Sequence, residues 1–270
     1  MKEYSGQARR YLQVVYELAE DGERSTRAEI VHRTRRSYGT VGPAISELGR
    51  VGLLDLDDPR TVRLTADGLS VALATTRTHR VLECFLADVV GLDWALLHTE
   101  ALRWQRVVSA QAEARISALL GDDPVSPFGS PIPTTDDIAR GGDSGTLASI
   151  DLPLLSYTVD LRRRPTALRR LVQVPNGARL RITRVTEDLQ SDPTLLRELS
   201  RTGLIPGRHL DGVRRRPDGT VEVSTADGAV VEIDQKAARG LRVEPEANRP
   251  GQHTGMLPTD LRQPIRSSVG

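Results

Sequence analysis

The sequence of 270 residues contains one cysteine, Cys84, and no apolar run close to the roughly 18 to 20 residues that span a bilayer. A single cysteine excludes a disulfide framework and a zinc finger built on several thiolates. Residues 1–6 also lack an apolar stretch, so we expect no signal peptide and a soluble, cytoplasmic protein.

An excess of one charge is also absent, since the formal net charge is only +1. Nucleic-acid binding would therefore have to depend on a local basic surface. Residues 24–50 offer one, with six arginines and only two carboxylates. This density is typical of phosphate contact, and the alternative is an ordinary solvated helix surface. No P-loop or Gly-x-Gly-x-x-Gly motif is present, and we do not expect an enzyme.

The first 64 residues have the pattern of a winged helix-turn-helix. Apolar spacing predicts a first helix around Tyr11–Leu18 and a second from about Thr26 to Thr34. After a short Gly-containing turn, a third helix follows with an apolar face of Val41, Ile45 and Leu48. The stretch from Asp55 to Leu64 predicts a β-hairpin wing.

The rest of the chain divides by pattern into a helical part and a β part. Helical periodicity extends from about residue 65 to 120, and four prolines between 122 and 133 interrupt it. A loop rich in Gly, Ser and Asp is expected to continue to about residue 149. Short β-type runs separated by glycine turns over 171–245 predict a small barrel.

Several short segments together resemble the iron-responsive branch of the diphtheria toxin repressor family. They are Tyr11–Leu18, Leu64–Gly68, His79-Arg80, Gly91–Asp93, Glu100-Ala101, Arg103-Trp104 and Ser126–Pro133.

The resemblance implies an α+β fold with three domains. These are a winged helix-turn-helix DNA-binding domain at 1–73, an all-α dimerisation and metal-binding domain at 74–140, and an SH3-like β-barrel at 171–245. A linker is expected at 141–170 and a disordered tail at 246–270.

One candidate metal site follows from the residues and the resemblance together. His79 and Glu83 are four positions apart and share one helix face. The resemblance adds His98 from the next helix, and Glu187 and Gln190 from the barrel, as the family's ancillary site. These ligands suit one divalent ion per subunit, Fe(II), Mn(II), Co(II), Ni(II) or Zn(II). The alternative is a helix face that holds no metal.

A second site, which the resemblance identifies as the primary site that activates DNA binding, is degenerate. Its positions hold Arg10, Leu102, Gln105 and Arg106. Leucine cannot ligate a metal, and two guanidiniums repel a divalent cation. Either an arginine replaces the ion and pins the first helix, or the cavity takes a small anionic effector. The remaining alternative is that both arginines point to solvent.

The resemblance also indicates the DNA-binding residues. They are Arg27, Ser37, Gly39, Thr40, Pro43, Arg50 and Arg60. Gly39 and Pro43 stand where the family has a proline and a glutamine, so the preferred base sequence should differ. If Thr40 is the N-cap of the third helix, Pro43 lies in the first turn, where its missing N–H is harmless. Trp104 is expected at a dimer interface, with a purely intrachain role as the alternative.

The resemblance implies a homodimeric transcription regulator, most simply a repressor, that reads an inverted repeat in double-stranded DNA. Its DNA binding should be independent of metal or tuned only through the ancillary site. An alternative is a partner-binding modulator that heterodimerises with a metal-dependent repressor. A third interpretation is a regulator that senses an anionic small molecule at Arg10 and Arg106.

Overall fold

The structure is a computed structural model that describes residues 4–121, 125–143 and 168–246. Most of the expected linker at 141–170 and nearly all of the expected tail at 246–270 lie outside the described residues. Within the described ranges, none of the helices combines the length and hydropathy of a bilayer-spanning segment.

The N-terminal unit is a winged helix-turn-helix, as predicted. Its elements are α1 Gly6–Glu20, α2 Arg27–Thr34, α3 Tyr38–Arg50, β1 Leu54–Asp55 and β2 Arg63–Leu64. The strands pair antiparallel, with Leu54 opposite Leu64, and form the wing. The apolar faces of the three helices converge on one core that includes Leu12, Leu18, Ile30, Val41 and Ile45.

The start of α3 differs from the prediction. The N-cap is Ser37, which has an extended backbone, while Thr40 lies inside the helix with its hydroxyl 3.0 Å from the Ser37 hydroxyl. Pro43 therefore lies in the second turn rather than the first. Because proline has no N–H, the carbonyl of Gly39 lacks its usual partner four residues on. The prediction that Thr40 caps this helix was wrong.

The helical unit consists of α4 Ala66–Asp88, α5 Leu97–Trp104, α6 Ala110–Leu120 and α7 Thr135–Asp143. The long helix α4 continues without a break across the expected boundary at residues 73 and 74. The presence of α7 contradicts the expected continuous loop to residue 149. Thr134 and Asp137 explain the difference, because each side chain accepts a hydrogen bond from the other's backbone N–H and so caps the first turn.

The C-terminal unit is an antiparallel sheet of six strands in the order β3-β8-β4-β5-β6-β7, which agrees with the predicted SH3-like β domain. The strands are β3 Arg169–Arg170, β4 Leu180–Val185, β5 His209–Arg215, β6 Val221–Thr225, β7 Val230–Ile233 and β8 Leu241–Pro245. Three helices accompany them, α8 Glu187–Gln190, α9 Pro193–Arg201 and α10 Gln235–Gly240.

The helical unit and the sheet share one hydrophobic core. Leu82 and Leu86 of α4 belong to the same buried cluster as Leu189 of α8 and the inward residues of the strands. Phe128, fully buried, belongs to this cluster and offers its carbonyl to the N–H of Val185 at 2.9 Å. This shared core places α8 beside α4 and α5, which is where the candidate metal ligands lie.

Candidate metal centre

Four of the five predicted ligands come together in one buried cluster. His79 and Glu83 project from α4, His98 from α5 and Glu187 from α8, and one ligand atom from each lies within 4.8 Å of all the others. The first three are fully buried and Glu187 is only 4% exposed. The sequence spacing predicted the pair on α4, the resemblance supplied His98 and Glu187, and the structure places α8 beside α4 and α5 so that the four side chains meet.

The electrostatics of the cluster favour metal ligation. His79 Nε2 lies 2.9 Å from Glu83 Oε1 and 3.0 Å from His98 Nδ1, and His98 Nδ1 lies 3.3 Å from Glu187 Oε2. Burial lowers the pKa of His79 to about 4 and also lowers the pKa of His98, so both imidazoles are neutral at pH 7. Neutral imidazoles keep the lone pair that a metal requires.

Unpartnered acceptors show that these residues fit a divalent ion. Glu83 Oε2 and Gln190 Oε1 are buried and accept no hydrogen bond among the described residues. Gln190 donates its Nε2 to the carbonyl of Val185 at 2.7 Å, which leaves Oε1 as an acceptor without a partner among the described residues. A buried acceptor without a partner costs about 1–3 kcal/mol, and coordination of a cation removes that penalty. Nitrogen and carboxylate oxygen donors together suit first-row transition ions.

No pattern in the sequence indicates the role of Arg80. Its guanidinium is fully buried, with Nη2 lying 2.6 Å from Glu20 Oε2 and 3.3 Å from Glu187 Oε1. Burial alone would raise the pKa of Glu187. Arg80, with smaller contributions from His98 and His79, outweighs burial and holds that pKa at about 2. Arg80 thus keeps Glu187 ionised and oriented beside the cluster.

A buried ion network joins the end of α1 to the sheet. Arg184 of β4 pairs with Glu20, at 2.9 Å, and with Asp21. Asp21 also faces Arg242 of β8, at 3.7 Å, and Arg33 of α2, at 3.6 Å. We call these five residues the interdomain network. Arg33 consequently faces inward and does not belong to the basic surface inferred from residues 24–50.

The four positions of the degenerate site line one cavity of about 510 Å³. Arg10 Nη1 lies 2.9 Å from Glu17 Oε1, so this guanidinium is held by its own helix. Gln105 Nε2 donates to Gln13 Oε1 at 3.3 Å and links α5 directly to α1. Arg106 is exposed, which agrees with the solvent alternative for this arginine but not for the half-buried Arg10.

The predicted DNA-binding residues lie on α2, on α3 and its N-cap, and on the loop of the wing. Ser37, Gly39, Thr40, Pro43, Arg50 and Arg60 are exposed, and Arg27 is half-buried. Arg50 already hydrogen-bonds Glu47 at 2.8 and 2.6 Å. Tyr38, an aromatic residue that is 60% exposed at the first position of α3, is not among the predicted DNA-binding residues.

Trp104 makes contacts within the chain and is also partly exposed to solvent. It is 37% exposed, its Nε1 donates to Glu100 at 3.0 Å, and its ring centre lies 6.3 Å from that of Phe85. The same helical unit also exposes other large apolar residues, Val89, Val90, Val107 and Leu119.

A winged helix-turn-helix joined to a helical unit with a buried His/Glu cluster defines a class of metal-responsive DNA-binding proteins. Two family models match the chain, "Iron dependent repressor, metal binding and dimerisation domain" over residues 65–134 and "FeoA domain" over residues 169–245.

Relatives and solved structures agree with these matches. The chain is 32% identical to the iron-dependent repressor IdeR of Mycobacterium leprae over 87% of its own length and 95% of the relative's. It is 33% identical to the diphtheria toxin repressor of Corynebacterium efficiens over 90% and 97%. A solved manganese-dependent transcriptional repressor in complex with manganese is 28% identical, with a TM-score of 0.70, over 88% of this chain and all of that one. This protein belongs to the diphtheria toxin repressor family. The relatives named are repressors rather than enzymes, in agreement with the expectation for this chain.

Proposed function

We propose that this protein is a homodimeric DNA-binding transcriptional repressor whose DNA binding does not require a metal ion. The relatives named above are repressors, and the winged unit presents the exposed start of α3 and the wing to a partner. We assign DNA binding to residues 1–73, dimerisation and metal binding to 74–140, and a docked SH3-like domain to 171–245.

Independence from metal is supported by the degenerate cavity. Among the described residues that line it, Leu102 and the guanidiniums of Arg10 and Arg106 offer nothing to a cation. Direct bonds from other elements hold α1: Gln13 accepts a hydrogen bond from Gln105, which follows α5, and Glu20 pairs with Arg80 of α4. The first helix is therefore positioned by the protein itself.

A metal ion bound at the buried cluster would stabilise the structure rather than activate DNA binding. His79, Glu83, His98, Glu187 and Gln190 would hold one divalent ion, such as Fe(II), Mn(II), Co(II), Ni(II) or Zn(II). When bound, the ion supplies positive charge that ties the carboxylate of α8 to the ligands of α4 and α5. The interdomain network also joins the sheet to α1, so the ion would add to contacts that the protein makes through its own side chains.

The DNA site should be an inverted repeat, because two-fold symmetry in a dimer is mirrored in the sequence it reads. Trp104, with the other exposed apolar residues of the helical unit, supplies the dimer surface in this proposal. Gly39 and Pro43 carry no side-chain donor for a base edge, so the exposed Ser37, Tyr38 and Thr40 would carry the base contacts.

The test is selection of bound duplex fragments from a genomic library by chelator-stripped protein at about 0.15 M salt. We expect enrichment of one inverted repeat, with and without added Mn(II). The alternative is a modulator that heterodimerises with a metal-dependent repressor, and it is favoured by the loss of base-reading side chains at Gly39 and Pro43. No enrichment by the homodimer, in either condition, would support that alternative.

A further inference from the structure

We propose that the cavity between α1, the α2–α3 turn and α5 binds a small free molecule that carries two or more phosphate or carboxylate groups. We call it the cationic cavity. It is distinct from the buried metal centre, although His98 touches both. The proposal does not depend on whether the protein represses transcription.

The lining of the cationic cavity is strongly one-sided in charge. Five arginines line it, and no Asp or Glu is present among the described residues that do so. The arginines are Arg10, Arg33, Arg35, Arg36 and Arg106. They come from three separate elements, so the fold gathers charges that are far apart in the chain. Guanidiniums in this density are typical of sites that bind phosphate or carboxylate through paired N–H donors.

Three of these five charges are available to a ligand. Arg10 is neutralised by Glu17, and Arg33 by Asp21, Glu23 and Glu29. Arg35 is exposed and donates only to a neutral acceptor, the carbonyl of Ser191, at 2.9 Å.

The side chains of Arg36 and Arg106 are exposed and make no hydrogen bond or ion pair within the described ranges. With Arg35, they leave three uncompensated guanidiniums around one concave space. Two or three negative charges on a ligand would match them, and a monoanion would not.

The size of the cavity indicates a molecule larger than a single ion. Its volume of about 510 Å³ lies within the range of roughly 300–1,000 Å³ that is usual for small-molecule sites. Tyr11 and Leu102 add apolar surface, and Thr34 and Thr99 add hydroxyl groups. The lining therefore suits an organic polyanion with a short carbon skeleton.

A phosphate of the DNA backbone is also an anion that guanidiniums bind, so it is the alternative occupant of the cationic cavity. Arg35 and Arg36 precede α3 and lie near the proposed DNA surface. Arg10, however, belongs to α1 and Arg106 to the turn that follows α5, and neither segment carries a proposed DNA-binding residue. A ligand that engages Arg106 as well as Arg36 must enter the cavity, and a small free anion can do so.

The experiment measures binding of inorganic pyrophosphate and of citrate to the full chain by calorimetry and by the shift in melting temperature. The protein is first stripped of metal, so that removal of metal by these chelating anions cannot imitate binding. The test variant is Arg106→Glu, and the control is Arg115→Glu. Arg115 is exposed on α6 and outside the cavity, so both variants change the net charge equally. Circular dichroism checks that both are folded.

We expect at least one of the two anions to bind and to raise the melting temperature of the wild type and of Arg115→Glu. The affinity of Arg106→Glu should be at least tenfold weaker, and Arg36→Glu should behave in the same way. Absence of binding to the wild type, or equal affinities for Arg106→Glu and Arg115→Glu, overturns the proposal. If neither anion binds but Arg106→Glu lowers the salt dependence of duplex binding, the occupant is a DNA phosphate and the proposal is also wrong.

Discussion

Arg184 of β4 reaches Asp21 at the end of α1, and both side chains are buried where the sheet meets the winged unit. Arg181, three residues earlier on the same strand, pairs instead with Glu244 in an exposed position. The two arginines thus form a matched pair on one strand.

Replacing Arg184 should be far more costly than replacing Arg181. Arg184→Met leaves the buried carboxylate of Asp21 without its nearest partner and removes one of the two arginines that pair with Glu20, a change that costs roughly 3–5 kcal/mol at buried sites. Arg181→Met should cost at most about 1 kcal/mol, since exposed pairs contribute little. Urea unfolding of both variants measures the difference, and equal losses would show that the interdomain network does not stabilise the docked arrangement.

Gly129 lies so close to the backbone of β4 that a side chain at this position should destabilise the protein. Its φ is +80°, and a Cβ there would lie 1.9 Å from the carbonyl oxygen of Thr183. Gly177 has a similar φ of +77° with open space around it, so it is the control for backbone strain alone. Gly177→Ala should cost about 1–2 kcal/mol. Gly129→Ala should cost about 1–3 kcal/mol more, because the backbone of β4 must shift. Equal free energies of unfolding would contradict this packing.

Metal binding should depend on the ligand that the sheet contributes. Glu187→Gln should weaken binding of Co(II) or Mn(II) by more than the roughly 10–100-fold seen for groups that only support a ligand. Glu198→Gln, which alters an exposed residue on α9, should bind as the wild type does. Titration followed by Co(II) absorption measures both affinities. If Glu187→Gln binds the metal as tightly as the wild type does, α8 supplies no ligand to the metal centre.

Arg60 should act through phosphate rather than through base recognition. It is exposed on the wing, and its loss should reduce the slope of log affinity against log salt by about 0.9 without changing the preferred sequence. Arg60→Gln is compared with Arg197→Gln, which lies exposed on α9. The measurement is duplex affinity at several salt concentrations. A slope unaffected by Arg60→Gln, or equally affected by both, would place the wing away from the DNA.

The structural features that the sequence predicted are those that depend on short-range spacing of residues. His79 and Glu83 share a helix face because of their spacing, and the apolar face of Val41, Ile45 and Leu48 is buried as the periodicity indicates. The resemblance to the family supplied His98 and Glu187, which spacing alone would not have joined. Helical spacing and family resemblance both depend on which residue type stands at a given position in the sequence.

The ion pairs that hold the units together were not predictable in this way. Arg80 and Glu20 are 60 positions apart, and Arg184 and Asp21 are 163 apart. In the sequence these side chains look like ordinary surface charges, and only the packing of the sheet on α1 shows that they are buried. The placement of Thr40 as N-cap failed for a different reason, because serine and threonine hydroxyls are both suited to that position and the helix begins after Ser37 instead.

Metal-independent DNA binding is tested by comparing the affinity of the wild type for DNA with and without metal. The dissociation constant of the wild type for its selected duplex is determined in excess chelator and again in saturating Mn(II), at the same salt concentration. We predict specific binding in chelator, with the two constants within about tenfold, which corresponds to roughly 1.4 kcal/mol. Specific binding that occurs only with Mn(II) would contradict the account and make the buried cluster the switch.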